Sequence, residues 1–351
     1  TRKESSAASD VYKRQAFVMV DGEPVQKIEK EVDFKVKYGR LGQDPLEEKI
    51  KAFIKPFALE KAPLLRAEVL KASGDEHVLM LDMHHIISDG VSMAIFTREL
   101  AELYEGKTLP PLTIQYKDFS EWQKLFYQKD EVKRQEDYWL NVFQGEVPVL
   151  NLPADEKRPQ KRSIEGDIVQ FEIDGETSAM LNKLAKENGA TMYMLLLAGY
   201  TTLLAKYTGQ EDIVVGSPIA GRHHSDLKHV IGLFINTLAM RNHPKGDMPF
   251  ADYLKEVKET ALKAYENQDY PFDELVEKLD VKRDMSRHPL FDTMLVLQNF
   301  DGDEADIDGL TFQPLQTEVN ISKFDLTLTA AETNEGIQCV FNYSTKLFKR
   351  S

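Results

Sequence analysis

Residues 81–90 read LDMHHIISDG, two adjacent histidines followed, four positions after the second, by Asp89 and Gly90. The run before them, HVLMLDM, alternates as a half-buried strand does, with successive side chains on opposite faces. On that reading His84 shares a face with Val78, Met80 and Asp82, while His85 shares the other with Leu79, Leu81 and Met83. Neighbours on opposite faces cannot close on one metal ion, and no Cys/His cluster elsewhere supplies further ligands. A second pair, His223-His224 in GRHHSD, falls in a polar loop and reads as solvated. No metal is therefore expected. Two readings of His85 stay open. It is either a core histidine with both nitrogens satisfied, or a partly desolvated imidazole at a strand end, neutral near pH 7 and able to take a proton from a nucleophile. The Asp89-Gly90 that follows favours the second: Asp89 could hold the loop through an ion pair with an arginine, and Gly90 could allow a tight turn.

Around this stretch the sequence alternates strands with amphipathic helices, an α/β (α+β) pattern with no internal repeat. APLLRAEVLKA and EHVLMLDMHH read as two strands joined by a turn. Helical spacing takes over at Val91 and ends near Gly106, and a second helical region carries Trp122, Phe126, Tyr138 and Trp139. Residues 148–166, PVLNLPADEKRPQKRSIEG, are aperiodic and proline-containing, which suggests a boundary between a lobe at 16–160 and a lobe at 161–351. Beyond it come a strand (DIVQFEID), a helix stopping at Gly189 and a strongly apolar helix from Thr191 to about Tyr207. That last run is too short for a membrane span and reads as buried core. EDIVVGSPIAGR and PLFDTMLVLQNF read as strands, and ISKFDLTLTAAE with GIQCVFNYS as a final antiparallel pair.

The 351 residues are 42% hydrophobic and 29% charged, the balance of a globular protein, and the net charge of −14 argues against nucleic-acid binding. Cys339 is the only cysteine, which rules out a disulfide framework. With no signal or membrane-spanning run visible, a cytoplasmic location is expected. Residues 5–15, SSAASDVYKRQ, back-translate in frame to a transposon-type sequencing adapter. Residues 1–15 are accordingly set aside as a tail, and AFVMVDGEPVQKI from Ala16 reads as a hairpin around Asp21-Gly22.

HHIISDG resembles the HHxxxDG active-site motif of condensation domains in nonribosomal peptide synthetases, a motif shared with chloramphenicol-acetyltransferase-like enzymes. Further segments resemble later family blocks in order: YKDFSEWQ (116–123) with YWL (138–140), IGLFINT (231–237), QDYPFDELVEKL (268–279), RDMSRHPLFDTMLVLQN (283–299) and NYSTKLF (342–348). The resemblance implies two acetyltransferase-like lobes in a V with a tunnel between them. It implies an acyltransferase of antibiotic biosynthesis that forms a peptide bond between two carrier-bound thioesters. Phosphopantetheine arms would come from partner carrier domains, none bound by this domain itself, with an adenylation domain as neighbour. His85 would be the catalytic residue and His84, Asp89 and Gly90 its support. Arg222 is one candidate partner for Asp89, an arginine in the missing N-terminal part an equal one, and Ser217 and Asn236 fall in segments that would approach the tunnel. The family's first two blocks precede the DGEPVQ hairpin, where this sequence has the adapter-like stretch. Truncation at the N-terminus, and at the C-terminus after KLFKRS, is expected, with poor folding as its consequence. A free-standing CoA-dependent acyltransferase and a non-catalytic carrier-docking domain are the rival readings.

Overall fold

The computed structural model describes residues 12–42, 45–282, 284–298, 309–311, 315 and 321–350. Most of the expected tail, Arg283 of a family block, and Asn299 and Phe300 of an expected strand lie outside them. Described residues group into two units, the first drawn from Thr1–Gln128, Arg222–Ile235 and Asp303–Thr317, the second from Lys129–Gly221, Asn236–Gly302 and Glu318–Ser351.

In the first unit, β1 (Gln15–Val20) and β2 (Glu23–Ile28) form an antiparallel hairpin. Its turn residues Asp21 (φ 53°) and Gly22 (φ 88°) are both left-handed, the geometry a two-residue hairpin turn requires. β3 (Lys37–Arg40) runs parallel to β4 (Leu65–Lys71), and β4 antiparallel to β5 (His77–Met83); α1 (Leu46–Phe53) lies between β3 and β4 in sequence. α2 (Gly90–Tyr104) and α3 (Tyr116–Phe126) follow. Leu64, Leu65, Ile87, Ile95 and Ile231 make the unit's core, together with Tyr12.

Tyr12 and Gln15 were assigned to the excluded tail, yet they are 2% and 1% exposed, and Gln15 opens β1 opposite Ile28. Neither amide atom of the Gln15 side chain has a hydrogen-bond partner among the described residues. An unpaired buried amide costs about 1–3 kcal/mol, so Gln15→Leu is expected to raise the denaturation midpoint of the first unit, checked by urea titration.

The second unit is built on a six-stranded mixed sheet. Its elements are α4 (Asp130–Val142), β6 (Gly166–Asp174), α5 (Gly175–Glu187), α6 (Met192–Thr208), β7 (Ile213–Ile219), β8 (Asn236–Asn242), α7 (Phe250–Glu266), α8 (Phe272–Lys278), β9 (Thr293–Gln298), β10 (Leu326–Glu332) and β11 (Gly336–Ser344). Strand order is β6-β11-β10-β9-β7-β8, with β9 parallel to both β10 and β7 and the other pairs antiparallel. The apolar helix α6 is buried over most of its length, as its sequence implied, and Gly209 ends it in the left-handed conformation (φ 70°). Among the described residues no helix is long and apolar enough to cross a membrane.

The stretch 148–166 runs over this second unit. Asp155 N–H donates to the Leu347 carbonyl (2.9 Å) and Arg162 N–H to the Met285 carbonyl (2.9 Å), while Arg158 forms a two-pronged pair with Asp325. Aperiodicity marked the absence of a regular element; the backbone groups found partners in neighbouring loops instead. Beside Arg162, His288 stacks on Phe324 with centroids 4.3 Å apart and accepts from the Arg162 guanidinium at Nδ1 (2.6 Å). Burial, with Arg162 adding to it, holds the His288 imidazole below its ordinary 6.5, against the opposing pull of the Lys323 carbonyl and Asp325. The fold thus prefers the neutral ring. Its stabilisation is present above the ordinary value and is lost as pH falls through the lower folded one. His288→Phe is expected to flatten the acid-side fall of the melting temperature, measured as Tm against pH.

Candidate active site

The β4–β5 ladder closes at Leu65↔Met83, and His84 N–H makes one more bond, to the Leu64 carbonyl at 3.0 Å. The chain then leaves the strand in a single 3₁₀ turn, His85–Ile87, rather than carrying both histidines on alternating faces. His84 caps that turn: its Nδ1 accepts from Ile86 N–H at 3.1 Å, and the Phe57 ring meets it edge-on at 6.1 Å. Ile87, 0% exposed, drives the turn into the core.

His85 faces solvent, not the three apolar side chains its strand position implied, because the turn redirects it. Its Nδ1 lies 2.6 Å from the Ser88 carbonyl oxygen. A carbonyl only accepts, so Nδ1 carries a proton, and in the neutral ring the lone pair is on Nε2. Among the described residues nothing occupies Nε2. The arrangement presents one basic nitrogen, fixed in tautomer by the main chain.

Asp89 does three things at once. It is the N-cap of α2, accepting from Ser92 N–H at 2.7 Å, with Gly90 exposed as the first helical residue. It accepts from Phe234 N–H at 3.0 Å. It also pairs with Arg222, whose Nη2 lies 3.0 and 3.2 Å from the two carboxylate oxygens, the side chains being 3% and 5% exposed. Arg222 Nη1 donates to the Leu227 (2.8 Å) and Val230 (2.6 Å) carbonyls, and the guanidinium lies 4.1 Å from the centre of the Phe234 ring. Burial pulls the guanidinium below its ordinary value while Asp89 opposes this; arginine remains charged.

Four further residues complete this core, and the sequence reading assigned none of them. Ser92 Oγ lies 2.7 Å from Asp89 Oδ1 and 2.8 Å from the Gly232 carbonyl, and accepts from Gly232 N–H at 3.1 Å. Tyr116 donates to the Leu233 carbonyl at 2.8 Å, and burial, then the Asp89 charge, push its phenol up. A Cβ on Gly232 would sit 2.1 Å from the Tyr116 ring, so that position admits only glycine without repacking. Phe234 packs on Tyr116 and Phe119, with ring centroids 5.1 and 4.7 Å apart. The signals were present: Asp89-x-x-Ser92 is a helix-capping pattern, and Tyr116, Gly232 and Phe234 sit inside the segments already set apart as family blocks.

His84, His85, Asp89, Gly90 and Arg222 therefore belong to one unit. Ser217 and Asn236 belong to the second. Ser217 is 3% exposed within β7. The Asn236 amide is spent on structure: Nδ2 donates to the Gln268 (2.9 Å) and Tyr270 (2.8 Å) carbonyls, and Oδ1 accepts from Thr237 and Phe272 N–H. Among the described residues no group of three His, Cys, Asp or Glu is placed to hold a metal ion.

Comparison with known proteins identifies the family and the fold. The family model described as "Condensation domain" matches residues 13–351. Over 337 residues the chain is 59% identical to bacitracin synthase 1 of Bacillus licheniformis, covering 96% of this chain but only 6% of that relative's length. The crystal structure of the X-domain from teicoplanin biosynthesis superposes with a TM-score of 0.86 at 26% identity, over 98% of this chain and 81% of that one. The first condensation domain of the CDA synthetase shares the fold, with a TM-score of 0.78 at 18% identity over 98% and 81% of the two chains. The mixed α/β fold is thus the chloramphenicol-acetyltransferase-like fold of these proteins, and the chain belongs to the condensation-domain family.

Proposed function

We propose that this domain forms a peptide bond between a carrier-bound aminoacyl or peptidyl thioester and the amine of a carrier-bound aminoacyl acceptor. The observation that carries the reading is the fixed tautomer of His85, with Nδ1–H on the Ser88 carbonyl and Nε2 open. The acceptor amine attacks the thioester carbonyl, the C–N bond forms, and the C–S bond breaks from the tetrahedral intermediate. The proton lost by the attacking nitrogen passes to Nε2 and on to the leaving sulfur, so the products are an amide and a free thiol. The Ser88 carbonyl stabilises the imidazolium in between. Thioesters are activated already, so holding the amine at the carbonyl supplies a further part of the acceleration.

His84, Asp89 and Gly90 act through position, and Arg222 through Asp89. Ser217 and Asn236 are assigned only structural roles. The phosphopantetheine arms are part of the substrates, brought by carrier domains, and an adenylation domain is the expected neighbour in the assembly. Similarity to part of bacitracin synthase 1 supports a cytoplasmic peptide-antibiotic assembly line as the setting.

The test offers the domain a loaded donor carrier with a loaded acceptor carrier and, separately, a free acyl-CoA with a free amine. The expected product is a dipeptidyl thioester on the acceptor carrier, read by mass spectrometry, and absent with His85→Ala. Efficient transfer from acyl-CoA to the free amine, with none between carriers, would replace this reading with that of a CoA-dependent acyltransferase. Carrier binding without transfer in either assay would leave a docking domain.

A further inference from the structure

A cavity in the first unit has no part in the reaction assigned to His85. It is a cleft of about 550 Å³ bordered by α1, the segment leading into β3, and β4. Its floor is apolar, with Phe34, Phe53, Leu65 and Met80. Its rim is cationic: Lys35, Lys37, Lys49, Lys55 and Arg66 line it, with Asp33 and Glu68 as the acidic lining residues. Lys35 is matched by Asp33 at 2.9 Å and Arg66 by Asp82 at 3.4 Å. Lys37 and Lys55 form no ion pair among the described residues. A concentration of positive charge in a chain of net −14 is the reverse of what composition dictates.

The cleft is joined to the histidine pair by contiguous packing. The Arg66 guanidinium lies 3.8 Å from the centre of the Phe57 ring and donates to the Phe53 carbonyl at the end of α1 (3.3 Å). Phe57 in turn stands edge-on to His84 at 6.1 Å, and His84 caps the turn that aims His85.

We propose that this cleft binds a small organic phosphate, the phosphate held by Lys37 and Lys55 and an apolar body laid on the Phe34–Phe53–Leu65 floor, and that occupancy is transmitted through Arg66 and Phe57 to His84. Flexible lysines on an open rim suit a phosphate as point charges, and the apolar floor supplies the discrimination against bare inorganic phosphate. The site stands independently of the reaction at His85.

The test is equilibrium titration of the full chain, by calorimetry and by histidine-ring NMR, with pantetheine 4′-phosphate and with 3′,5′-ADP. Dephosphorylated pantetheine and inorganic phosphate are the controls. Saturable binding of at least one organic phosphate is expected, weakening as salt is raised. A Lys37→Glu/Lys55→Glu variant should bind about tenfold more weakly or worse, with its circular dichroism unchanged because both side chains are exposed. His84 resonances should move on saturation and stay still in Phe57→Leu, while His85→Ala leaves affinity unaltered. Tighter binding of the pantetheine ester would identify the carrier arm's chemistry as the source, tighter binding of the nucleotide a free cofactor fragment. Absence of saturation at about 10 mM, or affinity that survives the double charge reversal, would overturn the proposal.

Discussion

Replacing Arg222 with methionine is expected to destabilise the first unit by about 3–5 kcal/mol, the cost of leaving a buried charge without its partner. Asp89 would keep Ser92 and Phe234 as donors but lose its cation, with its side chain only 3% exposed. The Leu227 and Val230 carbonyls would lose their donor as well. Lysine at this position is no rescue, since one ammonium cannot reach two carbonyls and a carboxylate in the fork geometry that Arg222 uses. The double variant Asp89→Asn/Arg222→Met should be distinctly more stable than Arg222→Met alone, because the orphaned charge is gone. Urea unfolding of the two singles and the double gives the coupling energy. A double variant that falls by the sum of the two single losses would show that the pair is not coupled as its geometry requires.

His85→Ala should behave in the opposite way. The side chain is exposed and its one recorded bond is to Ser88, so stability should change by no more than about 0.5 kcal/mol. The rate of peptide-bond formation at saturating carriers should fall about 10²–10⁴-fold, the usual range for a lost acid–base group. Asp89→Asn is the contrasting case, losing stability and rate together, since Asp89 caps α2 and holds the loop bearing Phe234. A stable His85→Ala variant of near-normal rate would confine the imidazole to a bystander's role.

Much of this arrangement was legible in the sequence, for physical reasons that can be named. The hairpin at Asp21-Gly22 followed from turn chemistry, and α6 from a run of apolar residues of helical length. Arg222 was one of two candidate partners for Asp89 that the family resemblance implied, and the structure pairs them. The local path of the chain at the histidines was not legible. Strand alternation extended one residue too far predicted a half-buried His85, whereas the turn that exposes it depends on Ile87 entering the core and on His84 capping Ile86. Likewise 148–166 looked like a linker because its partners, at 285, 325 and 347, are more than a hundred residues away. Periodicity carries no trace of such contacts. Ser92 and Gly232, which join sequence-distant segments, were missed for the same reason.

The central claim is that the main chain fixes His85 so that Nε2 offers the lone pair. Long-range ¹H–¹⁵N correlation on the domain with ¹⁵N-labelled histidine, recorded at pH 8 and assigned through His85→Ala, measures this directly. The account predicts a protonated Nδ1 and a pyridine-like Nε2 for His85. A proton on Nε2, or an even mixture of the two tautomers, would contradict it.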